Sequence, residues 1–497
     1  MNRFAERRES RLSRRLWAAL ALLCLGFALS GCGSLASFEL ASVAQQAPVK
    51  PSHVVVSTPA SDRENTRILA TYGGAYHDPP LEALVTKTVD RLVAVSGHPN
   101  QGYKVTILNS GAVNAFALPT GQLYVTRGLL ALADDNSELS SVLAHEMSHV
   151  IFHHAALRAA KARQLAVVNR VVTDMSDDAQ LTALALAKTK LTLAAFSQQQ
   201  EFQADSMGVK ISARAHFDPY GAARFLTSME RNEELTATGK ASSDSHAPDF
   251  LSAHPATPER VQKVEALAKK YTSPETKERD HEAYLSAIDG LVYGDDPSEG
   301  FVRGRRFLHP KLGFTFEAPE HFTLDNTAQA VIGVRDGGGQ AMRFDVVRVP
   351  SDQSLGGYLS SGWMQNVDKA SIKDVTINGF PAASATAHND PWQFKIYVLR
   401  FGTDVYRFIF ATKRKTTESE RNARDTVKSF RRLTLREIRN ARPLRLKVIT
   451  VQPGDTVESL SHRMVGVDHA AQLFRVLNGL GPHAEVKVRE RVKVVAE

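Results

Sequence analysis

Two histidines four residues apart, with a glutamate beside the first, are the residues whose types and spacing could do chemistry. They lie in Ser137–His153, which reads Ser-Glu-Leu-Ser-Ser-Val-Leu-Ala-His-Glu-Met-Ser-His-Val-Ile-Phe-His. On a helix, His145 and His149 stand on one face and can present two imidazoles to one ion. Glu146 adjoins the first of them, where its carboxylate can reach a water on that ion without being a ligand. Zinc, one per chain, suits this set. It would lower the pKa of a water towards neutrality and polarise a scissile carbonyl, while Glu146 takes the proton and passes it to the leaving amine. A catalytic zinc needs a third protein ligand. Glu201, in Glu201-Phe202-Gln203-Ala204-Asp205, is the best candidate. Asp205, four residues on and on the same face, could accept a hydrogen bond from a ligand histidine. His153 and His154 extend the first helix beyond the reach of an ion held by His145 and His149, so both are read as orienting or structural.

Leu143, Met147 and Val150 give the His145–His149 helix apolar surfaces to bury, and neighbouring elements must hold it in place. Leu81, Leu84, Val85, Val89 and Leu92 recur at helical spacing within Pro80–Val95. Tyr103–Leu108 and Ala115–Leu118 read as strands, as does Gly121–Thr126 after a Pro119-Thr120-Gly121 turn, and a short helix follows over Gly128–Leu132. A long Ala- and Leu-rich helix over 181–210 would carry Glu201 and Asp205. Pro219–Met229 and Pro258–Lys269 each open with a proline, which suits a first helical turn. Pro274–Asp295 is charged and reads as a joint. Beyond it the texture changes to strands at Gly313–Glu317, Ala330–Val334, Met342–Val349, Phe394–Leu399 and Val405–Thr412, with helices at Gly357–Asn366 and Ser419–Leu433. A basic joint around Arg439–Arg445 leads into a small final module. No repeat of 20–50 residues is evident, which argues against a helical-repeat arm.

The N-terminus carries an address. Six arginines within the first fifteen residues precede an uncharged run from Leu16 to Leu29, the order of a secretory signal, and the run is short for a membrane span. Leu29-Ser30-Gly31-Cys32 then resembles a bacterial lipoprotein cleavage box, with Cys32 as the lipidated first residue of the mature chain. Gly33 and Ser34 follow, without the aspartate of inner-membrane retention, so the expected location is the outer membrane facing the periplasm. The only other cysteine, Cys24, falls in the discarded segment, so no disulfide is expected within the mature chain. The six arginines against Glu6 and Glu9 account for +4 of the formal charge of +8, leaving +4 and little case for nucleic acid binding. A hydrophobic fraction of 43% supplies large cores, and 497 residues suggest two or three domains.

With the His-Glu-x-x-His helix followed by Glu-x-x-Ala-Asp, residues 68–270 resemble the M48 family of zinc endopeptidases. Within it, they are most similar to envelope proteases that remove misassembled outer-membrane proteins. Asn114-Ala115-Phe116-Ala117-Leu118-Pro119-Thr120-Gly121 matches the family's strand beside the cleft, which implies that Asn114, Ala115, Phe116 and Ala117 bind an extended substrate by strand addition. His254-Pro255-Ala256-Thr257-Pro258-Glu259-Arg260 resembles the later His-Pro…Arg segment. The resemblance brings His254 near the zinc, either stabilising the reaction intermediate or serving as a reversible fourth ligand, and it has Arg260 ordering the site by pairing with acids. It implies Glu146, Asp205 and His254 as catalytic residues and His145, His149 and Glu201 as metal ligands. Two features depart from the family: Phe196-Ser197-Gln198 stands where relatives often carry Tyr-Ser-Arg, and the helical-repeat tail of envelope relatives is absent.

Val451-Gln452-Pro453-Gly454-Asp455-Thr456-Val457, Leu477-Asn478-Gly479-Leu480 and the closing strand Arg491–Val495 resemble a LysM module, a βααβ fold that binds N-acetylglucosamine polymers. Glu490-Arg491 replaces the usual glycine before the last strand and Pro482-His483 expands the preceding loop, so the fold could persist without sugar binding. The expected architecture is α+β. A lipoprotein signal peptide (1–31) and tether (32–65) lead to a mainly helical zincin-type metalloprotease domain with a small edge sheet (66–275). An α+β domain without recognisable chemistry (300–437) and the LysM-like module (446–497) follow. The expected function is zinc-dependent hydrolysis of peptide bonds in misfolded or misassembled envelope proteins. Its partners would be those substrates, the outer membrane through Cys32, and peptidoglycan if residues 446–497 bind glycan. The alternative, a non-catalytic envelope chaperone or peptidoglycan-associated scaffold, has no need for a water-activating carboxylate beside two ligands.

Overall fold

The computed structural model describes residues 59–160, 197–237, 250–274, 280–335 and 339–497. The signal, Cys32, most of the tether and positions 181–196 of the Ala-rich segment lie outside the described residues. The first described helix, α1 (Pro59–Thr71), begins inside the segment read as tether. Helix α2 (Pro79–Val95) starts where Asp78 accepts a hydrogen bond from the Leu81 amide, and it buries the expected stripe of Leu81, Val85, Val89 and Leu92. Strands β1 (Lys104–Leu108), β2 (Ala115–Ala117) and β3 (Gln122–Thr126) form a three-stranded sheet in which β1 runs parallel and β2 antiparallel to the central β3. β2 is one of its two edge strands.

Helix α3 (Arg127–Leu132) follows with Thr126 as its cap, and then α4 (Asn136–Ile151), which carries the histidines. Every residue of α4 from Asn136 to Val150 is buried. Its Asp135 cap accepts from the Glu138 amide at 2.8 Å. Helices α5 (Gln198–Arg214), α6 (Gly221–Ala237), α7 (Phe250–Ala253) and α8 (Pro258–Tyr271) pack around it. Of the helix expected over 181–210, the described part is α5, which begins at Gln198 with Ser197 as its cap. There the backbone is extended, and Ser197 with Gln200 forms a reciprocal capping box.

The charged stretch read as a joint is instead part of the core. It forms α9 (His281–Ile288) and β4 (Val292–Tyr293), and Tyr284, Leu285, Ile288 and Leu291 are almost fully buried. Their apolar side chains at helical spacing outweigh the charge around them.

Next come β5 (Phe301–Arg303), β6 (Arg306–His309), β7 (Phe314–Glu317), β8 (Phe322–Asn326), β9 (Val331–Arg335) and β10 (Gln340–Val347). A single-turn helix, α10 (Leu355–Leu359), is shorter than expected over 357–366. Four long strands follow: β11 (Val367–Ile377), β12 (Phe380–Asn389), β13 (Trp392–Phe401) and β14 (Asp404–Thr412). Helix α11 (Thr417–Ser429), β15 (Arg431–Arg432) and helix α12 (Leu435–Asn440) close the region. β8–β14 build a seven-stranded sheet in the order β11-β12-β13-β14-β10-β9-β8, and β5–β7 with β15 build a smaller one. One face of the large sheet packs a phenylalanine-rich cluster with the smaller sheet and α11, and α10 covers part of the other face.

The last residues form β16 (Leu444–Thr450), α13 (Val457–Ser461), α14 (Ala470–Leu477) and β17 (Arg491–Ala496), a βααβ unit whose antiparallel strands join β4 in one sheet. Leu446, Phe474 and Val494 belong to the same buried cluster as Leu143 and Met147 of α4, so this unit shares the core of the helical region. Its most buried contact is polar. The Lys493 ammonium, fully enclosed, donates to the carbonyls of Ala131, Leu132 and Ala133 at 3.1, 3.3 and 2.8 Å, closing the C-terminal end of α3 just before α4 begins. No described helix is long and apolar enough to cross a membrane.

Candidate metal centre

Helices α4 and α5 cross closely enough to bring their polar side chains together. Gly208 makes this approach possible, since a Cβ there would lie 3.1 Å from the His145 amide nitrogen and 3.2 Å from its Cα. One turn and two turns back along α5, Asp205 and Glu201 reach the histidine face of α4.

Four donor atoms converge on one point. His145 Nε2 and His149 Nε2 are 3.0 Å apart, and Glu201 oxygens lie 3.5 Å from each. His254 Nδ1, brought in by the loop after α7, is 3.3 Å from His145 Nε2 and 3.1 Å from Glu201 Oε1. All four residues are buried. A tetrahedral ion with bonds of about 2.0–2.1 Å has ligand atoms about 3.3 Å from one another, so the separations fit such a centre. Two imidazoles and a carboxylate, with a third imidazole available, are also a donor set that suits a divalent metal.

The electrostatics agree with this reading. Burial alone would raise the Glu201 carboxyl, but hydrogen bonds from His145 and His254 outweigh it and hold the group well below the usual carboxylate range. Burial, with the charges of His145 and His254, keeps His149 neutral, the form that binds metals. Burial also presses His145 down, yet its bonds to Asp205 and Glu201 bring it up to about 9, so this ring carries positive charge among the acids until a cation takes that place. Burial pushes the Glu146 carboxyl up. Its Oε1 has no hydrogen-bond partner and lies 3.6 Å from His254 Nε2. A buried oxygen left open beside four converging ligands is where a water on the ion would be met.

The surrounding residues fix the rings. His145 Nδ1 donates to Asp205 Oδ1 at 2.9 Å, leaving Nε2 to face the centre. Asp205, expected among the catalytic residues, lies behind the ring and holds the His145 tautomer. Arg260 grips the Asp205 carboxylate through Nε at 2.7 Å and Nη2 at 2.8 Å, and its Nη1 reaches Glu201 Oε2 at 2.8 Å. His254, expected among catalytic residues, stands within reach of both Glu146 and the ligand cluster. Gln198, where relatives often carry arginine, donates to Glu259 at 2.8 Å.

Asn114, expected among the substrate-binding residues, is held within the fold. It is buried, its side chain donates to Tyr72 Oη at 2.9 Å, and its backbone is bonded to Thr126. Ala115, Phe116 and Ala117 do form the edge strand, although the Phe116 ring is committed to Tyr124 and Tyr72, with centroids at 4.9 and 5.7 Å. Sequence reasoning also left unassigned the partner of His149. His154 Nδ1 lies 3.0 Å from His149 Nδ1, and its Nε2 lies 3.2 Å from Gln203 Oε1. Gln203 sits two positions beyond Glu201, a spacing that shares no helix face with it, so no pattern in the sequence pointed to this contact.

Residues 79–268 match peptidase family M48. They form an M48 peptidase domain. The mitochondrial metalloendopeptidase OMA1 of Schizosaccharomyces pombe is 29% identical over 222 residues, covering 44% of this chain and 63% of that protein. The beta-barrel assembly-enhancing protease of Escherichia coli K12 is 30% identical over 194 residues, covering 37% of this chain and 38% of that protein. The chain thus spans less than two thirds of the length of these relatives. The M48 domain contains all four converging residues together with Glu146, Asp205 and Arg260, whereas α9, β4 and everything C-terminal to them lie beyond the match.

Proposed function

We propose that the chain is a zinc-dependent endopeptidase of the bacterial cell envelope that hydrolyses peptide bonds in misfolded or misassembled envelope proteins. The observation that carries this reading is the convergence of the His145, His149, Glu201 and His254 donor atoms within 4.8 Å of one another, beside the open oxygen of Glu146. His145, His149 and Glu201 would hold the metal. When bound, it supplies a Lewis acid that polarises the scissile carbonyl and makes water acidic enough to attack near neutral pH.

The protein's own residues do the rest. Glu146, its carboxyl raised by burial, accepts the proton of the attacking water and returns it to the departing amine nitrogen. Asp205 and the His154–Gln203 pair hold the two ligand rings in their tautomers, and Arg260 holds Asp205 and Glu201. His254 either stabilises charge during the reaction or closes the centre as a fourth ligand at rest. The edge of β2 takes an extended peptide by backbone pairing, a mode indifferent to side chains and hence suited to unfolded clients.

A lipidated Cys32 would place this activity at the periplasmic face of the outer membrane, while residues 300–437 and 446–497 act as accessory domains, the latter LysM-like. Palmitate labelling that survives Cys32→Ser would remove the anchor, and failure to sediment with purified sacculi would remove glycan binding. The enzymatic test is incubation of the zinc-loaded chain with a denatured outer-membrane β-barrel and with its folded form. The expected result is cleavage of the denatured form alone, lost on chelation and restored by zinc. A fully zinc-loaded chain that cuts no unfolded protein overturns the reading.

A further inference from the structure

A cavity of about 420 Å³ opens in the strand-rich region beyond the M48 domain, between one end of the large sheet and the first turns of α11. Its origin lies in the sequence of α11. Towards its C-terminal end this helix buries Ala423, Thr426 and Val427 against the sheet, but its opening turns offer Ser419 and Asn422, side chains too short to fill the space below. The sheet floor there is not withdrawn. Lys395 of β13, Phe410 of β14 and Met342 of β10 stand in one transverse row, with Thr386 of β12 completing it. The result is a volume typical of small-molecule sites, walled on one side by the buried rings of Phe322 and Phe410.

The polar lining of this cavity carries two ammonium groups, Lys395 and Lys415, and two carboxylates, Glu420 and Asp368. Lys395 is half-buried, and its ammonium has a single hydrogen-bond contact, to Ser384 Oγ at 3.5 Å, with the Tyr397 ring centroid 5.1 Å away. Among the described residues no carboxylate comes within ion-pair distance of it. The nearby acids are engaged elsewhere: Glu420 pairs with Lys415 at 2.9 Å, and Asp368 accepts from the Ala370 amide at 3.0 Å. Burial lowers the Lys395 pKa and Lys373 and Lys415 add repulsion, together outweighing the attraction of Glu420 from beyond ion-pair distance. A half-buried ammonium with no direct ion pair is costly, and an anion from outside would relieve that cost. His388 and Gln393 line the same end and bring no negative charge.

We propose that this cavity binds a small amphipathic monocarboxylate, its acyl or aromatic body against Phe322 and Phe410 and its carboxylate on Lys395. The site is independent of the peptidase chemistry and gives residues 300–437 a ligand-binding role. Calorimetric titration of the full chain with decanoate tests it, with 3-phenylpropionate as the aromatic arm and 1-decanol as the uncharged counterpart of decanoate. One decanoate or phenylpropionate per chain is expected, the tighter of the two identifying the source. Decanol binding and decanoate binding to Lys395→Met should both be at least about tenfold weaker, as loss of a charge-assisted bond requires. Asn422→Trp should block binding by filling the cavity while the melting temperature is kept or raised, which separates loss of the site from loss of fold. Equal binding of decanol and decanoate, undiminished binding to Lys395→Met, or binding of neither carboxylate would overturn the proposal.

Discussion

Replacing His154 with phenylalanine tests whether the centre is held by the residues behind its ligands. His154 is almost fully buried, with Nδ1 3.0 Å from His149 Nδ1 and Nε2 3.2 Å from Gln203 Oε1. Phenylalanine keeps the ring volume and the stacking on Phe152, whose centroid lies 5.5 Å away, so the change removes the nitrogens and little else. His149 can present Nε2 to an ion only if Nδ1 carries the proton, and the lone pair of His154 Nδ1 holds that proton in place. Losing a buried acceptor costs about 1.5–3 kcal/mol, which corresponds to about ten- to a hundredfold in metal affinity. Competition with a chromophoric chelator measures that affinity, and the absorption spectrum of the cobalt-substituted protein reports whether the geometry loosens. Gln203→Leu should act in the same direction and more weakly. An affinity for His154→Phe within about twofold of the parent, with the fold intact, would refute the reasoning.

Three further outcomes are expected. Lys493→Met should lower stability by about 3–5 kcal/mol, since it leaves three α3 carbonyls without their buried donor and Asp134, 3.7 Å from the ammonium, without its cation. A urea melt measures this, and a change below about 0.5 kcal/mol would show the contact to be incidental. His309 is held by burial at about 4, below its ordinary value, so the unfolded chain binds the extra proton first as pH falls. The strand-rich region should therefore lose stability between about pH 6.5 and 4, at up to about 1.4 kcal/mol per pH unit, and His309→Phe should flatten that slope. Arg260→Met should lower the unfolding midpoint of the metal-free chain by more than that of the loaded one, because a bound cation offsets part of the charge of Asp205 and Glu201 that the guanidinium otherwise balances. Equal losses in both forms would count against that role.

The site was largely legible because helical spacing carries it. His145 and His149, and Glu201 and Asp205, are each four residues apart, and a helix turns that spacing into a shared face. Arg260 was legible only through resemblance to a family, since no local pattern joins it to Asp205 across 55 residues. His154 lies outside the four converging residues, and its contact with His149 depends on the backbone turning left-handed at His153, just past the end of α4, and on Gln203 arriving from α5.

In the fold, α9 was hidden by the charges around Tyr284, Leu285 and Ile288. β12 was hidden by its alanines, since Ala382, Ala383, Ala385 and Ala387 are buried in a strand that lacks the branched residues by which strands are recognised. Lys493 lies beyond what pattern reading can reach. A lysine between two valines in a closing strand reads as the solvent face, whereas here it is enclosed by the end of α3, a partner more than 350 residues away.

The central claim is that Glu146 moves the proton at a metal held by its neighbours. Its most direct test is Glu146→Gln in the zinc-loaded chain, assayed on a denatured outer-membrane protein beside zinc content measured on the same sample. Glutamine keeps the shape of the side chain and can carry no proton from water, so cleavage should fall by about a hundredfold or more with one zinc per chain retained. Cleavage by the variant at the rate of the parent, with equal zinc, would contradict the account.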